Sequence, residues 1–344
     1  MAEKITSVKL FPLVVIALSA VLFICSFIKG YKLVQKSEKE LNSKKQIEEA
    51  QAKEYSLKEI DAKTGQIRWK LTAREGTTEG NLQAALIKDI KAQVYKDQSP
   101  IFDLSAPYAK GNVSKKEIYL YGDVTAKDYK GNFMLTTNQL SLGMGTQIEA
   151  QKGFYITLKN TGTLTGENAL INDDQTQITV SDLKEANFEN LILKGKEVNI
   201  NRDKDGSLLS ANITGGGTII LKKSKNDILT ANTITWTKDG KTEAINDVVY
   251  KQSDKSFKAG YLSLNPDKTI SAKNNVSVIH GKTRCYANSL RVENDSLVTL
   301  TGNPKAFQED KEITALKIIY DTKTNKLEAI GNVRTISKEQ IAKK

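Results

Sequence analysis

Between Leu104 and Tyr320 a short apolar pattern recurs eight times, with small or apolar residues at offsets −2, 0, +3 and +5 from a reference position. The last three copies read Phe257-Ala259-Leu262-Leu264, Cys285-Ala287-Leu290-Val292 and Ile313-Ala315-Ile318-Tyr320, and their reference positions are evenly spaced. A fixed period predicts one supersecondary unit stacked on copies of itself. Inside the units the alternation has period two, as a strand requires. Ile118, Leu120, Val124 and Ala126 fall on one face, and Tyr119, Tyr121, Asp123 and Thr125 on the other. Leu327, Ala329, Gly331 and Val333 repeat the pattern near the C-terminus. The predicted fold is all-β and elongated, built of repeated strand pairs around a continuous apolar interior.

The offsets carry a further expectation. Alternation runs for two core positions, slips by one, then resumes, as at a bulge or a sharp corner. The reference positions are Ala106, Thr137, Gly166, Gly195, Ala231, Ala259, Ala287 and Ala315, small except for Thr137, as a tight bend demands. Turn clusters separate the strands at Asp128-Tyr129-Lys130-Gly131-Asn132, Asn201-Arg202-Asp203-Lys204-Asp205-Gly206, Thr237-Lys238-Asp239-Gly240, Asn265-Pro266-Asp267 and Asp321-Thr322-Lys323-Thr324-Asn325. The units follow one another at nearly constant spacing, with one longer step between Gly195 and Ala231. That step contains Gly215-Gly216-Gly217, read here as a seam between two halves. Ahead of the first clear unit, the turn Lys63-Thr64-Gly65 predicts an opening hairpin joining Tyr55-Leu57 to Ile67-Trp69-Leu71. Roughly nine strand layers at about 4.8 Å would make a body on the order of 40 Å long.

The N-terminus obeys a different pattern. Residues 10–28 are 19 positions without a formal charge. As a helix they span roughly 28 Å, close to the hydrocarbon thickness of a bilayer. No small-x-small cleavage site follows, so an uncleaved transmembrane helix is expected over residues 10–30. Residues 1–9 then form a cytoplasmic tail. Residues 31–53, rich in Lys, Glu and Gln, read as a helical or extended stalk. The body is expected outside the inner membrane.

Composition narrows the chemistry. The net charge of +11 is spread over the turns, with no basic block interleaved with aromatics, which argues against nucleic acid and suits a solvated polar face or an anionic partner. The two cysteines, Cys25 in the apolar run and Cys285 at a repeat core position, are not expected to pair. His280 is the single histidine, so no histidine-rich metal site exists and none is expected. Gly240-Lys241-Thr242 and Gly281-Lys282-Thr283 lack the upstream glycine of a phosphate loop. No catalytic residues, metal or cofactor are assigned, and the chain reads as a non-enzyme.

The order of these features resembles a known family. A transmembrane run, a stalk and Gly65-Gln66-Ile67-Arg68-Trp69-Lys70-Leu71-Thr72-Ala73 resemble the start of LptC, the bitopic component of lipopolysaccharide export. The similarity continues through Phe102-Asp103-Leu104-Ser105-Ala106, Ile118-Tyr119-Leu120-Tyr121-Gly122-Asp123-Val124 and Leu135-Thr136-Thr137-Asn138. From about Ala231 the units resemble the LptA/OstA periplasmic bridge family, with Leu300-Thr301-Gly302-Asn303-Pro304 and Ala329-Ile330-Gly331-Asn332-Val333 as strand-end signatures. The chain is longer than a typical LptC, as though sections of both kinds were fused. The expected division is an LptC-like β-jellyroll at 54–205, an LptA/OstA-like continuation at 206–336 and a tail at 337–344.

The resemblance implies an open β-jellyroll that carries lipopolysaccharide. Its implied partners are an inner-membrane ABC transporter complex and a periplasmic bridge protein joined by edge-strand stacking. Candidate lipid-binding residues are the inward positions of the first units: Leu104, Ile118, Leu120, Val124, Leu135, Leu140, Phe154 and Ile156. The alternative is a membrane-anchored β-solenoid or adhesive scaffold with a closed core.

Overall fold

The structure, a computed structural model, describes residues 50–78, 84–112, 117–142, 147–222 and 227–337. The expected transmembrane helix, its tail and most of the stalk lie outside the described residues. So does nearly all of the C-terminal tail.

Alternating sequence becomes strand throughout. The first eleven strands are β1 (Ala50–Ile60), β2 (Ile67–Thr78), β3 (Ala84–Lys96), β4 (Ser99–Asn112), β5 (Glu117–Asp128), β6 (Phe133–Leu142), β7 (Ile148–Leu158), β8 (Gly162–Ile171), β9 (Gln177–Phe188), β10 (Leu191–Arg202) and β11 (Leu208–Leu221). They continue as β12 (Asp227–Ala231), β13 (Thr233–Thr237), β14 (Thr242–Lys251), β15 (Lys255–Leu264), β16 (Ile270–His280) and β17 (Thr283–Glu293). The last six are β18 (Leu297–Thr301), β19 (Lys305–Gln308), β20 (Lys311–Thr314), β21 (Lys317–Asp321), β22 (Lys326–Ile330) and β23 (Arg334–Ser337). All belong to one antiparallel sheet, in which β1 to β11 and β14 to β17 each pair with the next strand in sequence.

Some of these strands are halves of one bent strand. β12 and β13 both pair with β14, and β18 and β19 both pair with β17. The split continues in β20 with β21 and in β22 with β23. Counted that way the sheet has about 19 layers and is roughly 90 Å long at about 4.8 Å per layer. The length expected from the sequence is therefore too short by about half. Each repeat unit supplies two bent strands, so layers are twice as many as units.

The bend lies in the middle of every long strand after the opening hairpin, and its chemistry alternates. One set of strands turns at the small reference positions, with register breaks at Ser105/Tyr108, Thr137/Gln139 and Lys258/Tyr261. The strands between them turn on residues with positive φ: Gly122 and Asp123 at 82° and 57°, Asn246 and Asp247 at 61° and 54°, Asn274 and Asn275 at 67° and 54°. Only Gly, Asn and Asp occupy that region at little cost. Gly302-Asn303 and Gly331-Asn332, read from sequence as strand ends, are such corners. Gly215-Gly216-Gly217 is another: the register shifts there, and pairing with β10, β12 and β13 resumes on both sides of it. Beyond the last corner Val333 is 52 % exposed, so it leaves the apolar face predicted for it.

Small corner residues are enforced by contact. A Cβ on Gly166 would stand 2.8 Å from the Phe154 ring, and one on Gly195 would stand 2.5 Å from Ile213. Thr137, the polar exception, is buried with its hydroxyl 2.7 Å from the Gly153 carbonyl oxygen across the corner. A buried hydroxyl is tolerated where a backbone acceptor meets it.

Turn carboxylates hold the hairpin ends. Asp61 accepts from the Lys63 and Thr64 amides at 2.8 and 3.1 Å and pairs with Arg68. The Lys63 amide leads the effects that lower its pKa to about 2. Asp174, Asp239, Asp267 and Asp321 are lowered in the same direction, chiefly by hydrogen bonds from Thr176, Thr237, Thr269 and the Lys323 amide respectively. Each of these acids therefore binds its proton more weakly folded than unfolded. The stability this confers is complete above the unfolded carboxylate range and is lost as pH falls through the folded pKa values. Thermal melts are expected to shift downward by several degrees between pH 5 and about pH 2. A melting temperature flat across that window would rule out this role for the turns.

Candidate functional site

Bending each strand brings its two arms face to face, and the apolar residues of both arms meet between them. The register makes the rows explicit. Leu57, Leu71, Ala92, Leu104, Ala126, Leu135, Ile156 and Leu164 are successive cross-strand partners on one arm. That row continues through Ala186, Leu193, Ile219, Leu229, Tyr250, Phe257, Val278 and Cys285 to Ala306 and Ile313. The other arm carries a parallel row from Ile87, Ala109, Leu120 and Leu140 through Val198, Ile213 and Leu262 to Leu300, Ile318 and Ala329. Almost every member is buried. One apolar interior thus extends the length of the described body, as the periodicity predicts.

The eight candidate residues all face this interior. Leu104, Leu135 and Ile156 stand in the first row, and Leu120 and Leu140 in the second. Ile118 lies one step nearer the strand ends, paired with Leu142. Val124 and Phe154 flank Thr137 at the corner. The most exposed of the eight is Phe154 at 6 %, and Leu120, Val124, Leu135, Leu140 and Ile156 are at 0 %. The arms are closed on one another here, and side chains fill the space between them. Cys285 shares this interior, and burial pushes its thiol up to about 12.

Opposite the corners the hairpin turns gather into two rims. One rim holds the turns near residues 61–66, 97–98, 129–132, 159–161, 189–190, 252–254, 281–282 and 309–310. The other holds those near 172–176, 203–207, 238–241, 265–269, 294–296 and 322–325. Polar contacts close the seam between them at intervals. Lys96 Nζ lies 2.9 Å from Asp173 Oδ2, and Thr161 Oγ1 donates to the Gly206 carbonyl at 2.9 Å. Lys255 Nζ donates to the Asp295 carbonyl at 2.6 Å, and Gln308 Nε2 to that of Asn325 at 3.1 Å. His280 shares a hydrogen bond with the Tyr320 hydroxyl at 2.7 Å, while its Nε2 meets Asp254 at 3.0 Å. Asp254 is held below the usual carboxylate range: burial raises its pKa, and the His280 bond and others outweigh that. The sequence assigned His280 no role beyond excluding a histidine-rich metal site. Its position as a seam contact carried no signal, because Tyr320 is 40 residues away.

These contacts join turns that are offset along the body. The β3–β4 turn meets the β8–β9 turn, β7–β8 meets β10–β11, and β14–β15 meets β17–β18. The two arms therefore cross obliquely, as twisted sheets do. Clefts indent the seam among the described residues. One of about 250 Å³ is bounded by Lys96, Tyr129, Asp173 and Arg202, and one of about 690 Å³ by Asp227, Tyr250, Leu264 and Ile270.

The family described as "Lipopolysaccharide-assembly, LptC-related" matches residues 13–186, half of the chain. The chain belongs to the LptC family. No curated protein matches it. Among solved structures, one similar chain is LptH, titled the LptA-homologous periplasmic component of the conserved lipopolysaccharide transport device from Pseudomonas aeruginosa. It is 17 % identical, with a TM-score of 0.31, over 32 % of this chain and 93 % of that one. As an LptC-family protein the chain is a component of lipopolysaccharide transport. Its β-sheet continues beyond the matched segment as far as Ser337.

Proposed function

We propose that the chain is anchored in the inner membrane by residues 10–30 and shields lipopolysaccharide acyl chains between its two arms. In this reading it passes the lipid from an inner-membrane ABC transporter toward a periplasmic conduit. The observation that carries the reading is the pair of apolar rows running side by side along the body, beneath a seam that scattered polar contacts close among the described residues. Hiding an acyl chain of about a dozen carbons is worth on the order of 10 kcal/mol, at roughly 0.8 kcal/mol per methylene. Exposed or half-exposed polar pairs hold about 0–1 kcal/mol each. Parting a few of them is a small cost beside the burial of a lipid tail. The 54–205 section is then the LptC-like receiver and 206–336 a built-in continuation of the same trough.

The complete burial of five of the eight candidate positions favours a second reading, a closed scaffold whose interior never admits a ligand. Photo-crosslinking residues at Leu120 and Phe154, with outward Tyr155 as control, decide between the two. Lipopolysaccharide adducts at the inward sites and none at Tyr155 support transport. Absence of adducts at every inward site, in cells that are exporting lipopolysaccharide, supports the scaffold.

A further inference from the structure

We propose that the seam cleft at Arg202 is an anion site that takes the phosphate ester of a lipid headgroup. The inference rests on the lipid-carrier reading above and assigns the site that would hold the polar end of the cargo. Arg202 lies beyond residues 13–186, the segment matched by the family.

Arg202 is 4 % exposed at the end of β10. A guanidinium has five N–H donors. Here Nε donates to the Gly206 carbonyl at 3.0 Å and Nη1 to the Gln175 carbonyl at 3.3 Å. Among the described residues no carboxylate stands within ion-pair distance, and Nη2 has no partner. A buried cation with no carboxylate in contact is uncommon, because leaving water is costly unless an anion replaces it. Its desolvation lowers its pKa, while Asp203 and Asp128 act in the other direction.

Four carboxylates line the same cleft, and each has other partners. Asp173 is paired with Lys96. Asp174 accepts from the Thr176 amide and hydroxyl. Asp203 accepts from the Ser207 amide and lies 3.7 Å from Lys238. Asp128 accepts from the Phe133 amide. Lys130 and Lys204 line the same cleft and make no ion pair among the described residues. Three cations, one of them buried, therefore line a space of about 250 Å³ and form no ion pair among the described residues, while Asp128 and Asp174 on the same cleft are held by neutral donors and keep their charge. A tetrahedral oxyanion offers several acceptors to such a set, and the planar fork of arginine suits it. The cleft bridges both rims, so a headgroup there leaves its chains on the apolar side. The polar end of such a lipid has no partners deeper in.

The test uses the full chain in detergent and isothermal titration with three probes: a phosphorylated N-acyl glucosamine, its dephosphorylated form and inorganic phosphate. The phosphorylated lipid is expected to bind at least about tenfold more tightly than the dephosphorylated one. Arg202→Gln is expected to bring the two within about twofold. Lys130→Gln with Lys204→Gln, changes at exposed positions, is expected to reduce the preference severalfold with folding intact, and decides the matter if Arg202→Gln does not fold. Equal affinity for the two lipids overturns the anion site and leaves the lipid-carrier reading standing. Inorganic phosphate binding as tightly as the phosphorylated lipid overturns the headgroup as its source. Binding of neither lipid overturns both.

Discussion

Leu120→Asp is expected to leave no folded body at neutral pH. Leu120 is wholly buried in the second apolar row, between Ala109 and Leu140. Burying its side chain is worth about 2–3 kcal/mol. An isolated carboxylate in the same place adds a penalty of several kcal/mol, because no cation or donor is within the row to meet it. Together these approach the roughly 5–15 kcal/mol that holds an ordinary domain. Leu120→Ala removes the contacts without adding charge and should cost about 2–5 kcal/mol, leaving a folded chain with a lower melting temperature. Far-UV circular dichroism and limited proteolysis distinguish the two. A Leu120→Asp chain that melts like the parent would mean that water already reaches this position.

The second large effect is expected at Gly162, the first residue of β8. A Cβ there would lie 2.2 Å from the Asn187 carbonyl oxygen and 3.0 Å from the Phe188 ring. The first of these is backbone of a hydrogen-bonded neighbour, paired through Thr163↔Asn187 and Gly162↔Phe188, so neither side can move alone. Gly162→Ala should cost about 3 kcal/mol, the scale of overpacking combined with backbone strain. Gly131→Ala is the matched control. Gly131 also has positive φ, at 68°, but nothing lies within 4 Å of its missing Cβ, so about 1 kcal/mol is expected. Chemical denaturation midpoints of the two variants measure the difference. Equal losses would show that φ, and not the Asn187 carbonyl, governs both sites.

Much of this architecture was legible in the residues because the inward rows obey local rules. Period-two alternation identified Ile118, Leu120, Val124 and Ala126 as one face, and all four are buried. The opening hairpin was readable from Lys63-Thr64-Gly65. Half of the corners were visible as small reference residues. The other half were not, because Asn246-Asp247 and Asn274-Asn275 look like ordinary polar strand positions until their φ values are known. The length was misjudged for the same reason: a bent strand looks like two short ones or one long one. The candidate residues were placed on the correct side of the sheet, since burial follows alternation. Their packing against the opposite arm was not foreseeable, because it depends on contacts between turns dozens of residues apart. Arg202 was hidden inside a turn-forming segment, where its neighbours Asp203, Lys204 and Asp205 disguise it as one more solvated charge.

The oblique crossing of the arms also shapes the last strands of the described sheet. On one arm Tyr320 and Ile318 are still at 0 % exposure one strand from the edge, and Leu327 and Ala329 in the last strand of that arm remain half-buried. On the other arm Ala306 is buried, its neighbour Ile313 is only half-buried and Thr335 is exposed. The edge of the described sheet is consequently a stair, with one flight outrunning its roof. A neighbour that offered a flat edge would satisfy the backbone and still leave that tread wet, so a tight joint calls for a counterpart cut to the same step.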